Sequence, residues 1–252
     1  MIKKLFYAVL ISLTAFAYII PQNVTVAAAA DLRYALDEVI SRYKVLNPKA
    51  KIEVIYGASG NLYQQITNKA PFDIFFSADN NYPLKLAESH LTVGQPKLYA
   101  IGHLVLWSSS KNVSKGISIL KSNDIKKISI ANPEVAPYGK RAVECLKYYK
   151  LDEQLKDKIV KGDNVSQAAQ FVLTGNADAG LIALSLALSK EMKGKGTYFL
   201  VDEKSYSKLE QSYVLLKNGE KNTEAVKFIK YLDSNEAKNI LAKYGFKLPK
   251  NK

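Results

Sequence analysis

A chain of 252 residues, 48% of them hydrophobic, has apolar material for a sizeable core, built as one large domain or as two lobes of about 100 residues each. Its single cysteine, Cys145, rules out an internal disulfide, so the core alone must hold the fold together. The 36 basic residues outnumber 23 acidic ones, but arginine occurs only at Arg33, Arg42 and Arg141, which argues against nucleic-acid recognition by an arginine-rich stripe interleaved with aromatics.

The chain opens with Met1-Ile2-Lys3-Lys4 and an uncharged apolar run from Leu5 to Ile20, the pattern of a secretory signal peptide. The run is shorter than the ~20 residues a helix needs to span a bilayer. Ala15-Phe16-Ala17 supplies a small-x-small site, so cleavage is expected after Ala17, with residues 1–17 as the signal peptide and the rest exported to the periplasm. The cleavage site has no cysteine to carry a lipid.

Beyond it, apolar runs of strand length alternate with helical periodicity, the signature of an α/β architecture with largely parallel sheets. A strand over 24–30 runs into a helix over 32–45, where Leu32, Ala35, Leu36, Val39, Ile40 and Tyr43 share a face. A strand over 51–56 leads through Gly57-Ala58-Ser59-Gly60 into a helix over 61–68. Residues 71–77 read as a buried strand, followed by a short helix over 82–89. Residues 97–108 form a long apolar run with only Gly102 as a turn signal, long enough to cross between two lobes. A strand over 127–131, the turn 132–139 and a helix over 140–149 follow. A helix over 165–174 and a buried strand over 178–184 come next. The segment 211–216 can return the chain to the first lobe, which ends in helices over 222–232 and 235–244.

Four strand-to-helix junctions carry the functional signal: Ala30-Asp31, Ala58-Ser59-Gly60, Pro137-Tyr138-Gly139 and Asn164-Val165. In an open α/β sheet, ligands gather beyond the carboxyl ends of the strands, where such junctions lie. What these offer in common is backbone N–H at a helix start, with the hydroxyl of Ser59 and that of Tyr138 as additions, a donor set suited to a small dehydrated oxyanion. Each could equally be an ordinary helix cap. Enzymatic readings find less support. Gly57-Ala58-Ser59-Gly60-Asn61 lacks the second glycine of a nucleophile elbow, and the two histidines, His90 and His103, lie on a polar turn and in the crossing strand. One cysteine and two distant histidines make no zinc cluster, and capping is the expected role of Asp73 and Asp79. No phosphate-binding glycine motif is present, so no cofactor is expected.

Val24-Thr-Val-Ala-Ala-Ala-Ala-Asp-Leu, Tyr56-Gly-Ala-Ser-Gly-Asn-Leu-Tyr-Gln-Gln-Ile, Ala70-Pro-Phe-Asp-Ile-Phe-Phe-Ser-Ala-Asp, Asn132-Pro-Glu-Val-Ala-Pro-Tyr-Gly and Tyr244-Gly-Phe together resemble the periplasmic molybdate-binding proteins of ABC importers. The resemblance spans the mature chain. It implies a type II periplasmic-binding fold, with lobe 1 over 18–104 and 213–252, lobe 2 over 105–212, and two crossing strands between them. It also implies a non-enzymatic, monomeric receptor that closes on molybdate or tungstate and delivers it to a permease of the inner membrane. Carried over residue by residue, Ala30 and Asp31 fall on the first ligand junction and Ser59 on the second, giving hydroxyl and N–H. Tyr138 and Val165 fall on positions that donate backbone N–H from the second lobe. A tyrosine hydroxyl common in the family has no match, since Ala183 stands there, and Tyr138 is the candidate to replace it. Asp31 departs from the serine or asparagine usual at its position, and an ionised carboxylate would repel a dianion in a dry cleft. It could cap its own helix by accepting from the N–H of Arg33 or Tyr34, be protonated, or pair with a cation such as Arg33; capping is the expectation. A receptor for sulfate or a small organic acid, and an envelope hydrolase using Ser59, are the alternatives.

Overall fold

The computed structural model describes residues 23–249, so the signal peptide and its cleavage site lie outside the described residues. Among the described residues no helix is long and apolar enough to cross a membrane.

The first lobe is built from β1 (Val24–Ala29), α1 (Arg33–Leu46), β2 (Ile52–Gly57), α2 (Ser59–Thr67), β3 (Ile74–Ser77), α3 (Asn81–Glu88) and β4 (Thr92–Gly102). The chain then enters the second lobe through β5 (Leu104–Ser108), β6 (Ile128–Ala131), α4 (Pro137–Tyr148), the short α5 (Asp152–Leu155), β7 (Ile159–Gly162), α6 (Val165–Leu173), β8 (Ala179–Ala183), the short α7 (Leu184–Ala187) and β9 (Thr197–Leu200). It returns through β10 (Leu209–Leu216), α8 (Thr223–Tyr231) and α9 (Asn235–Lys243). The first sheet has the order β2-β1-β3-β10-β4 and the second β7-β6-β8-β5-β9.

Both sheets are mixed. β1 runs parallel to β2 and β3, and β6 parallel to β7 and β8, but β10 is antiparallel to β3 and β4, and β5 to β8 and β9. The strands that carry the chain between lobes, β4, β5 and β10, account for the antiparallel pairs that a purely repeating strand-helix pattern would not contain. The expected single strand over 97–108 is two strands split at His103, one in each sheet. At the split, a Cβ on Gly102 would collide with the Tyr138 hydroxyl and lie 2.7 Å from Gln211 Nε2, so only glycine lets the crossing chain pack against them.

Side-chain alternation explains why β1 reads as an unbroken apolar run. Val24, Val26 and Ala28 pack against the faces of α1, α8 and α9, while Ala27 packs on the opposite face with Leu62, Ile66 and Leu86 of α2 and α3. The second lobe has one core around Trp107, Cys145, Ala168 and Leu181, and Ala29, Ala30, Ala58 and Ala78 of the first lobe join it. The two lobes are therefore closed on each other.

Two helices begin earlier than their periodicity suggests: α2 at Ser59 and α4 at Pro137, where a proline's missing N–H costs nothing. Strands β7 and β9, four residues each, carried no sequence signal of their own.

Candidate functional site

Parallel strands β1, β2, β6 and β7 end in the same direction within their sheets, and each feeds a helix start at one cleft between the lobes. The cleft is a small cavity, with about 10 Å³ open to the centre of a water-sized sphere. Ala30, Asp31, Ser59, Tyr138 and Val165 all line it, and no lysine or arginine does among the described residues. The chain's positive excess is thus not placed at this cavity.

Ser59 is fully buried, and its Oγ accepts the N–H of Ala78 at 3.0 Å. That bond occupies the oxygen as an acceptor and leaves the hydroxyl proton free to be donated into the cavity. The first-turn amides of Ser59, Tyr138 and Val165 have no partner among the turn, loop and cap hydrogen bonds of the described residues. On α6 the Asn164 side chain accepts from the N–H of Ser166 and of Gln167, which caps the helix and leaves the Val165 amide to the cavity. Gly60 serves a different end: its N–H donates to Val135 O of the second lobe at 2.8 Å. A Cβ there would sit 2.8 Å from the same oxygen, so the glycine allows the lobes to touch.

Asp31 does not cap its helix. Neither the 3-10 turn at Ala30–Leu32 nor α1 has a side-chain cap, and Arg33, instead of pairing with the acid, lies 4.4 Å over the ring of Tyr56. The Asp31 carboxylate turns inward to a partner that local capping rules do not consider: Gln211 Nε2 donates to Oδ2 at 2.6 Å, and the Tyr99 hydroxyl donates to Gln211 Oε1 at 2.6 Å. Oδ1 is buried without a hydrogen-bond partner. Burial raises the carboxyl to about 6, against the opposing effect of the bonds from Gln211 and Tyr138 and of Asp31's own amide.

The Tyr138 hydroxyl, expected as a stand-in for the family's missing tyrosine, is 3.4 Å from Gln211 Nε2 and sits against Gly102, at the crossing strands. Ala183 is fully buried at the foot of α7, and the hydroxyl nearest in sequence belongs to Ser185, which donates to Asp31 O at 2.7 Å. With Ser166 Oγ donating to Ala30 O at 2.8 Å, two second-lobe hydroxyls hold the carbonyls of the first junction. The Lys140 ammonium, 5.9 Å from the Tyr82 ring centroid, adds a contact between α4 and α3. Sequence reasoning missed Val135, Ser166, Ser185 and Gln211. Only Gln211 left a trace, as the polar residue that opens the expected strand over 211–216.

Other acids and histidines are structural. Asp79 caps α3 by accepting from the N–H of Asn81 and Tyr82. Asp73 is not a helix cap: it accepts from Thr25 N at 2.7 Å, Asn218 and Asn222, tying β1 to the turns on either side of residue 220. Among the described residues no hydrogen bond joins Ser59 to His90 or His103, and His103 lies 3.1 Å from Glu203, its imidazole held below the usual value by burial. No group of three or more metal-ligating side chains occurs among the described residues.

Two mixed α/β sheets, two connections between them and a cavity of helix starts in the cleft define a two-lobed binding protein of the type II periplasmic-binding fold. The family described as bacterial extracellular solute-binding protein matches residues 24–247, and the chain belongs to it. Molybdate-binding protein ModA of Azotobacter vinelandii is 37% identical over 228 residues, 90% of each chain, and that of Rhodobacter capsulatus is 39% identical over 193 residues, 76% of this chain and 75% of its own. The solved structure of the Azotobacter vinelandii periplasmic molybdate-binding protein superposes with a TM-score of 0.85 at 30% identity, covering 90% of this chain and all (100%) of that one.

Proposed function

We propose that this protein is a periplasmic receptor that captures molybdate, and tungstate with it, and hands it to an ABC importer. It makes and breaks no bond, acts as a monomer, and is exported by a signal peptide cut after Ala17. The observation that carries this reading is the convergence of neutral donors from both lobes, the Ser59 hydroxyl and the amides of Ser59, Tyr138 and Val165, on one cavity in the cleft. Closure excludes water, and each donor gains strength toward a dianion in the lower dielectric. Sulfate is smaller, so donors placed for molybdate stand too far from its oxygens.

A receptor for a different oxyanion is the second reading, and one observation favours it: an ionised Asp31 would accept a hydrogen bond from a protonated oxyanion. Calorimetric titration with molybdate, tungstate, sulfate and phosphate separates the two. Saturable binding of molybdate and tungstate with no heat from sulfate or phosphate is the expected result. No heat from any oxyanion refutes the receptor reading. A hydrolytic role would require turnover of a chromogenic ester that disappears in Ser59→Ala; none is expected, because among the described residues no histidine is hydrogen-bonded to Ser59.

A further inference from the structure

Three buried aspartates are handled in two ways. Asp73 and Asp79 each collect several N–H donors, as a buried carboxylate charge requires. Asp31, 1% exposed, is held by Gln211 on one oxygen, with Tyr138 and its own amide also favouring its charge, and has no hydrogen-bond partner on the other oxygen. The groups that face it are themselves neutral. They are Gln211 from β10, Tyr99 from β4 and Tyr138 from α4, with Ser185 of α7 and Ser166 of α6 engaged on the backbone carbonyls beside it. Burial holds both tyrosines far above their usual range, so they stay uncharged. Arg33, next on its own helix, is committed to the Tyr56 ring, and none of the ion pairs among the described residues includes Asp31.

An acid so placed has no cation to balance its charge once the lobes shut, and an oxyanion in the same cavity adds two like charges beside it. We propose that closure on a dianionic oxyanion takes up one proton from solution, carried on the Asp31 carboxyl, so that the loaded receptor presents a neutral acid to its ligand. This rests on the oxyanion-receptor reading and adds a proton to it. The balance is simple: carboxylate, dianion and one buffer proton enter, and carboxylic acid with bound dianion results. The carboxyl already sits at about 6 in the closed protein through burial, and a neighbouring dianion moves it further in the same direction. In the open form the same group meets water and ionises more readily.

The test is calorimetry of molybdate binding at about pH 7.5 in two buffers of unlike ionisation enthalpy, which counts protons directly. Close to one proton taken up per oxyanion is expected, with affinity falling about tenfold per pH unit above the ionisation of the open receptor. In Asp31→Asn, uptake should vanish and the affinity should become flat with pH. Molybdate binding with no proton uptake overturns the proposal while leaving the receptor reading intact, as does an Asp31→Asn protein that takes up protons like the wild type. Should the variant not fold, the wild-type proton count decides alone. Tighter binding of hydrogen phosphate, which brings its own proton and would need none from solution, overturns both the proposal and molybdate as the ligand. An absence of binding by any oxyanion at any pH overturns both readings together.

Discussion

The junctions after β1 and β2 start from the same architecture and end with opposite chemistry. Each is a strand running into a helix start, each is buried in the closed cleft, and each lines the same cavity with a polar residue. Ser59 is fixed by accepting from Ala78 and offers a proton at any pH. Asp31 is fixed by Gln211 and offers a proton only when its carboxyl carries one. Position along the fold thus sets where a donor can stand, whereas the partner supplied by distant chain sets whether it donates.

The comparison is broken most completely by preventing the lobes from meeting. Gly60→Val places branched carbons where a single Cβ is already 2.8 Å from Val135 O. Overpacking together with loss of the Gly60–Val135 hydrogen bond should destabilise the closed form by about 4 kcal/mol, a fall in molybdate affinity of about a thousandfold. Titration calorimetry reads it. An unchanged affinity would show that ligand capture does not need this contact.

Next in size is the stability of the first junction. The folded carboxyl of Asp31 lies at about 6, above its ordinary 3.8, so the folded protein binds the proton more tightly than the unfolded chain does. The sign follows: the group disfavours folding progressively as pH rises from about 4 to 6, and the full cost remains at neutral pH. Asp31→Asn keeps the shape without the charge and should stabilise the closed protein by about 3 kcal/mol at neutral pH and by nothing below about pH 4. Thermal unfolding at the two pH values checks it, and a gain that persists at low pH would assign the effect to packing instead.

Ser59→Ala removes the donor that is always present. The expected loss is about 2 kcal/mol of affinity for the dianion, or about thirtyfold, and it should be the same at acid and neutral pH. If the loss changes with pH as the Asp31 effect does, the two junctions are not independent.

Much of the cavity was visible from sequence because it is made of local patterns: strand, small residues, helix start. Leu32, Ala35, Leu36, Val39, Ile40 and Tyr43 declare the buried face of the first helix, and Ala58-Ser59-Gly60 marks the second start. What stayed hidden depends on residues far apart in the chain. The helix-capping rule looks two or three residues ahead of Asp31, but its partner Gln211 is 180 positions away. Gly102, just before the break, packs against Tyr138 and Gln211, neither of which is near in sequence. Gly60 looks like a turn glycine, yet its use is contact with the other lobe. Strand β9 is an edge whose apolar residues Tyr198 and Leu200 stay exposed, and its four residues are too few for a strand period to stand out.

The smallest effect is expected where the second lobe grips the first junction from outside the cavity. Ser185 and Ser166 each donate to a neighbouring carbonyl, that of Asp31 and that of Ala30, with nearly equal geometry. They differ in burial: Ser185 is buried, so Ser185→Ala leaves the Asp31 carbonyl without a donor when the lobes shut, whereas water can reach the half-buried position of Ser166. The Ser185→Ala protein should lose about 1 kcal/mol of closed-state stability, roughly fivefold in affinity, and Ser166→Ala less than half of that in free energy. Because both bonds exist only across the shut cleft, the loss should appear as faster release of molybdate, measured by stopped-flow displacement, with little change in capture rate. Equal losses in the two variants would mean that water enters the shut cleft at Ser185 as freely as at Ser166. The dry environment on which the Asp31 carboxyl's behaviour depends would then not exist.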